Sequence, residues 1–172
     1  EWAGGPRRPS IYVSDQGHSS LERAARIIGV QEDAIRRIPT DDHFRMDMAI
    51  LRQTIASDRE TGLNPLCICG NAGATNTGAI DPLEALSQVA EEEGLWLHVD
   101  GAYGGFGILA PGVGDSFRGI EKAHSVTLDP HKWLFQPYET GCLLVRDTRL
   151  LESAFRILPE YLQDTALGEE QV

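Results

Sequence analysis

The pattern that most limits the fold is a capped helical segment set between two short apolar runs. Residues 65–70 and 95–99 are apolar and of strand length. Between them lies Asp81-Pro82-Leu83-Glu84, with Leu83, Leu86, Val89 and Ala90 at helical spacing and Gly94 at the end. Asp81 reads as the helix cap, Pro82 as the first helical residue, where its missing N–H costs nothing, and Glu84 as the residue that answers the cap three positions on. Strand-like and helix-like segments alternating in this way predict an α/β fold with a largely parallel sheet.

The alternation continues on both sides. Residues 11–14 read as a strand, and residues 19–28 as a helix with Leu21, Ala24, Ala25 and Ile28 at helical spacing, Ser19 or Ser20 as its cap and Gly29 as its end. Residues 34–38 carry a second, weaker strand pattern. Asp47 caps a helix whose stripe is Met48, Leu51 and Ile55 and which ends before Gly62. Further strands are expected at 125–128 and 142–145. Asp100 and Lys132 then fall just beyond the carboxyl ends of strands, where open α/β sheets hold their ligands. Residues 163–172 are polar, with glycine and acids, and are expected to form a mobile loop.

A chain of 172 residues is long enough for one domain with a real core, or for part of one. Its formal charge of −11 and the lack of a basic stripe argue against a nucleic-acid partner, because such binders displace counterions with clustered Lys and Arg. Glu91-Glu92-Glu93 read as solvated helix surface. No run approaches a membrane span, and the first residues lack the apolar core of a signal peptide, so the expected location is the cytoplasm, with no membrane partner. Cys67, Cys69 and Cys142 lie in strand-like runs, and an odd number does not read as a disulfide framework. Cys67 and Cys69 share a strand face and would make half a metal site. Without a second pair they read as packing, and no metal is expected. The chain starts without a methionine inside a Gly/Pro/Arg-rich segment, which leads to the expectation that it is a piece of a longer protein.

Two motifs carry chemistry. Asp129-Pro130-His131-Lys132-Trp133 offers a lysine amine in a partly apolar setting, and His98-Val99-Asp100-Gly101-Ala102-Tyr103 offers a carboxylate. A lysine that acts as a nucleophile needs its ammonium form disfavoured. A carboxylate held against a ring cation stays ionised despite burial. The pair suits a Schiff-base cofactor. Read alone, Lys132 would be a surface lysine after Pro130, Asp100 a turn former before Gly101, and His18 a polar residue near a helix start. The glycines between Gly101 and Gly107 do not follow the dinucleotide fingerprint, and no amphipathic helix follows at once.

Together with Tyr12-Val13-Ser14-Asp15-Gln16-Gly17-His18-Ser19-Ser20 and Asn76-Thr77-Gly78-Ala79-Ile80-Asp81-Pro82, the chain resembles the group II pyridoxal-phosphate-dependent amino-acid decarboxylases, the family of aromatic-L-amino-acid decarboxylase. The likeness runs in order over nearly the whole chain. It implies the aminotransferase-like fold of pyridoxal-phosphate-dependent transferases, with residues 1–162 as part of the large cofactor-binding domain. It implies pyridoxal 5'-phosphate as cofactor, held by Lys132 as a Schiff base, with Asp100 against the ring nitrogen, Ala102 flat on one ring face and His18 stacked on the other near the substrate carboxylate. Asn71 stands where the family often has threonine contacting the ring oxygen. Asp129 stands where it often has asparagine near the phosphate end, and an ionised Asp129 cannot donate to phosphate. His131 joins the cofactor-binding set, and Ala74 replaces a threonine common in that loop.

Tyr161, in Pro159-Glu160-Tyr161-Leu162, stands where the family carries a tyrosine that protonates the substrate carbon; read alone it would be a tyrosine covering a core edge. His43, His98 and His124 are left as structural. The implied activity is decarboxylation of an L-amino acid to the amine and carbon dioxide by a homodimer, with Lys132, His18 and Tyr161 as catalytic residues. Trp133 and the aspartate motif favour the aromatic branch. By the same resemblance a phosphate-gripping Gly/Ser-rich loop would lie upstream of residue 1, so a non-catalytic fragment is one alternative. An aldehyde-forming oxidative decarboxylase, an aminotransferase or a carbon–carbon lyase is a second. Aldehyde-forming members tend to carry phenylalanine at the Tyr161 position, so tyrosine favours simple decarboxylation. A plain binding module is a third, and it predicts no activity sensitive to Lys132.

Overall fold

A computed structural model describes residues 8–156. Six strands form one sheet: β1 (Pro9–Ser14), β2 (Ile35–Ile38), β3 (Asn64–Asn71), β4 (Trp96–Gly101), β5 (Ser125–Leu128) and β6 (Cys142–Val145), in the spatial order β2-β1-β3-β4-β5-β6. All neighbours are parallel except β6, which runs antiparallel to β5. The helices are α1 (Ser19–Ile27), α2 (Met48–Glu60), α3 (Leu83–Glu93), the single turn α4 (Pro130–Trp133) and α5 (Thr148–Phe155).

The period-two alternation of the strands divides the core between the two sheet faces. Tyr12, Ile68, Leu97 and Val99 pack with Leu51 and Ile55 of α2 and Leu83, Leu86, Val89 and Ala90 of α3. Ile11, Val13 and Cys69 pack on the other face with Ala25 of α1, Val30 and Ala34. Gly70 makes room for α3, since a Cβ there would lie 2.6 Å from Leu86 Cδ1 and that side chain would have to shift. Cys67 and Cys69 share a face, with Sγ atoms 3.8 Å apart. Among the described residues no three His, Cys, Asp or Glu side chains are grouped to hold a metal ion, and no helix is long and apolar enough to cross a membrane.

Local signals set most boundaries. Asp47 caps α2 by accepting from the N–H groups of Ala49 and Ile50. Gly94 ends α3 in the left-handed region at φ 66°, where glycine has no Cβ penalty. α2 is tied to the sheet through Asp58, which is 1 % exposed, accepts from both Nε and Nη2 of Arg36 and takes the Tyr12 hydroxyl at 2.9 Å. Four expectations are corrected. Ala34 lies in a 3-10 turn ahead of β2. The cap of α1 is His18, whose Nδ1 accepts from the Ser20 N–H at 3.3 Å, and not Ser19 or Ser20. Asp81 does not cap α3: its carboxylate is buried and accepts from the N–H groups of Met46 and Asn71, both at 2.7 Å, leaving Pro82 at the cap position. Asp100 lies inside β4, one residue before its end.

Candidate active site

The carboxyl ends of β3, β4 and β5 open onto one cavity of about 300 Å³. Asn71 ends β3, Asp100 stands next to last in β4, and Thr127 stands beside Asp100 in the register of β5. Chain direction therefore brings three polar side chains to one rim. Asp129 and Lys132 follow β5 on the turn of α4, and His18 reaches the cavity from the start of α1. His18, Asn71, Asp100, Ala102, Asp129 and Lys132, separated by as many as 114 positions in sequence, all line this space.

Two loops close its floor. Gly73 and Gly104 touch backbone to backbone, and a Cβ on either would sit 2.6 Å from the other's Cα. Gly73 has φ 88°, so both space and conformation require glycine there. Ala102 donates its N–H to Asp100 Oδ1 at 3.0 Å, which aims the carboxylate, and Oδ2 has no hydrogen-bond partner among the described residues. The Lys132 ammonium lies 2.8 Å from Asp129 Oδ2. Asp100, by contrast, has no cationic partner among the described residues, although it is half-buried.

His131 is placed otherwise. Its Nδ1 is within hydrogen-bond reach of the Thr140 backbone and its ring meets Tyr138 edge-on at 5.0 Å, so it braces the loop after α4 and does not line the cavity. Tyr161 and residues 163–172 lie outside the described residues. The lining residues that were not foreseen include Thr127, Tyr103 and Thr75. Thr127 was discoverable, because Ser125 and Thr127 share one face of β5, which leads directly to Asp129. Tyr103, edge-on to Trp133 at 5.8 Å, and Thr75 carry no local signal.

His98 stands behind the cavity on the same sheet face as Asp100. Burial holds its imidazole below the usual histidine range, and the Asp100 charge opposes this without prevailing; burial likewise lowers His124. The unfolded chain therefore binds protons in the histidine range that the folded chain refuses. Stability contributed by these residues is present above that range and lost as pH falls through it. Denaturant midpoints are expected to fall between about pH 7.5 and about pH 5.5, and to fall less in a His98→Gln variant. An equal fall in both proteins would refute the assignment to His98.

A mostly parallel open sheet with an amine, a carboxylate and a small residue converging at the carboxyl ends of its strands places the chain among the α/β folds that hold their ligands at that edge. The family model described as the pyridoxal-dependent decarboxylase conserved domain matches residues 4–171, and the chain belongs to that family. It is 44 % identical over 160 residues to an aromatic-L-amino-acid decarboxylase from Bacillus atrophaeus, covering 93 % of this chain and 33 % of that protein. It is 43 % identical over 164 residues to a phenylacetaldehyde synthase from a Rosa hybrid cultivar, covering 94 % and 32 %. The crystal structure of Oryza sativa TDC with PLP and tryptamine superposes on the whole chain and 36 % of its own, with TM-score 0.88 and 34 % identity. The aminotransferase-like fold expected from the motifs is thus present in part. The chain spans about a third of the length of the curated relatives it matches.

Proposed function

We propose that this chain is the cofactor-holding part of an L-amino-acid decarboxylase that takes an aromatic substrate and yields the amine and carbon dioxide. The observation that carries the reading is a half-buried carboxylate, Asp100, with no cationic partner among the described residues, in the same cavity as the Lys132 amine. A protonated ring nitrogen fits the first and an aldehyde fits the second. The cavity, at about 300 Å³, is at the lower end of ligand pockets, enough for the cofactor with the substrate side chain held elsewhere. Bound there, pyridoxal phosphate supplies an aldehyde for amines and a protonated ring that takes up the electron pair left as carbon dioxide departs.

The chain's own residues have separate tasks. Asp100 favours the protonated state of the ring nitrogen by opposite charge. Ala102 leaves room for a flat group on one side of the cavity. His18 lines the cavity and accepts from Ser20 N–H at Nδ1, which leaves Nε2 to carry the ring proton. Asn71 can donate or accept at the ring oxygen. Lys132 must leave Asp129 and lose its proton to act as a nucleophile. Asp129 is assigned to the cofactor's surroundings, and Tyr161 to returning a proton to the substrate carbon, with His18 as a relay; His131, turned toward Thr140, holds the loop after α4 and not the cofactor. Residues 1–162 are taken as part of a large domain and 163–172 as a loop. A homodimer in the cytoplasm, with no nucleic-acid or membrane partner, completes the reading.

One observation favours a second reading: the likeness to a protein named phenylacetaldehyde synthase, which points to oxidative decarboxylation with an aldehyde product. Tyr161 supports the first. Incubating the full-length protein and pyridoxal phosphate with a panel of L-amino acids decides between them. Carbon dioxide and amine in equal amounts are expected, greatest with an aromatic substrate. An aldehyde or keto acid as the main product, or no carbon dioxide from any substrate, would refute the proposal.

A further inference from the structure

Behind Asp100 runs a line of polar side chains that the proposed chemistry does not use. The Trp96 indole N–H donates to Ser125 Oγ at 2.9 Å, Ser125 Oγ lies 2.8 Å from His98 Nδ1, and His98 Nε2 lies 2.9 Å from Thr127 Oγ1. The line follows the register of β4 and β5, in which His98 pairs with Ser125 and Asp100 with Thr127. It ends at the cavity, which Thr127 lines.

The direction of these bonds can be derived. An indole N–H only donates, so Ser125 Oγ accepts from Trp96. Ser125 is buried, and among the described residues its own proton has no acceptor except His98 Nδ1. Were Nδ1 protonated, the serine proton would be orphaned in the interior, which folded proteins avoid. Nδ1 is therefore the acceptor, and burial, which disfavours the imidazolium, leaves the ring neutral. The single ring proton then sits on Nε2 and is donated to Thr127 Oγ1. That oxygen, already an acceptor, keeps its own proton, which has no partner among the described residues.

We propose that Trp96, Ser125 and His98 form a one-way hydrogen-bond chain that fixes the Thr127 hydroxyl as a donor into the cavity beside Asp100, where it binds an anionic oxygen of the cofactor. Thr127 is then a cofactor-binding residue, and His98 and Ser125 are positioning residues. The assignment of the ligand rests on the decarboxylase reading; the direction of the chain does not.

Two measurements on the full-length protein test it. In cofactor-free protein labelled with 15N-histidine, the His98 signal, assigned by its loss in H98Q, is expected to show a neutral ring protonated on Nε2. A proton on Nδ1, or on both nitrogens, overturns the proposal. Titration with pyridoxal phosphate, followed by visible absorbance, is expected to give about tenfold weaker binding in T127V, as for one lost bond to a charged acceptor, and near recovery in T127S. S125A, although Ser125 does not line the cavity, is expected to weaken binding by freeing His98 to reverse its proton. The S125A/T127V double variant should then bind no more weakly than T127V alone. Binding by T127V within about twofold of the unaltered protein, or full additivity of the pair, overturns the proposal. If the unaltered protein binds no cofactor, the decarboxylase reading falls and takes this ligand with it, while the His98 signal still decides the direction of the chain.

Discussion

Replacing Lys132 with alanine in the full-length protein is expected to lower decarboxylation by on the order of a thousandfold or more, the scale on which a lost nucleophile is felt. It should also abolish the borohydride-sensitive absorbance that marks a covalent link to the cofactor. Among the described residues Lys132 is the only lysine lining the cavity, and its side chain is 34 % exposed, so the amine is reachable from the open side yet lies on the rim shared with Asp100. Its ion pair with Asp129 is too accessible to water to count for much in stability, and the melting temperature should barely move. Lys132→Arg separates charge from chemistry. The guanidinium keeps a cation beside Asp129 but cannot deprotonate to attack an aldehyde, so this variant should fail as fully as alanine. Activity above about a tenth of normal in either variant, measured as carbon dioxide release under saturating cofactor, would remove Lys132 from the mechanism.

That Lys132 and Asp100 belong together was legible in their motifs, and chain topology explains why. Parallel strands all deliver their carboxyl ends to one edge, so residues distant in sequence but alike in position along their strands meet there. The bounds of β5 and β6 and the cap of α2 were legible because each rests on local signals: short apolar runs for the strands, and Asp47 before a periodic stripe for the helix. Asp81 shows where such signals fail. Its cap pattern is intact, yet two backbone N–H groups from distant segments, Met46 and Asn71, claim the carboxylate in the folded chain. Burial pushes its carboxyl above the usual range, and the two N–H bonds offset this only in part. The reversal of β6 was equally out of reach, since no residue within the strand encodes its direction. His131 shows the limit of motif reasoning: adjacency to Lys132 suggested a place in the cavity, whereas one step round the turn of α4 points its ring at Thr140 instead.

A second large effect belongs to the fold and not to the chemistry. Arg36→Met is expected to destabilise the protein by about 3 kcal/mol, because it strands a carboxylate that cannot reach water. Asp58 is 1 % exposed and holds Arg36 through both Nε and Nη2, the latter at 2.6 Å, while its remaining side-chain partner is the Tyr12 hydroxyl. The expected loss is at the low end for breaking a buried pair, since the Arg36 side chain is itself 34 % exposed and gives up less on losing its partner. Burial, with Asp58 adding to it, drives the Tyr12 phenol well above its ordinary value, so it stays a neutral donor to Asp58 and brings no positive charge in place of the guanidinium. If the stranded charge is the cause, removing it as well should restore stability: Arg36→Met with Asp58→Leu is expected to recover more than half of the loss, although it deletes a second polar partner. Urea unfolding of the two single variants and the double variant measures the cycle. A double variant as unstable as the sum of the singles would mean that Arg36 acts through packing of its stem over β2 and α2 and not through the ion pair. Cofactor affinity measured well below the melting point should be unchanged in all three, since neither residue lines the cavity beside Asp100.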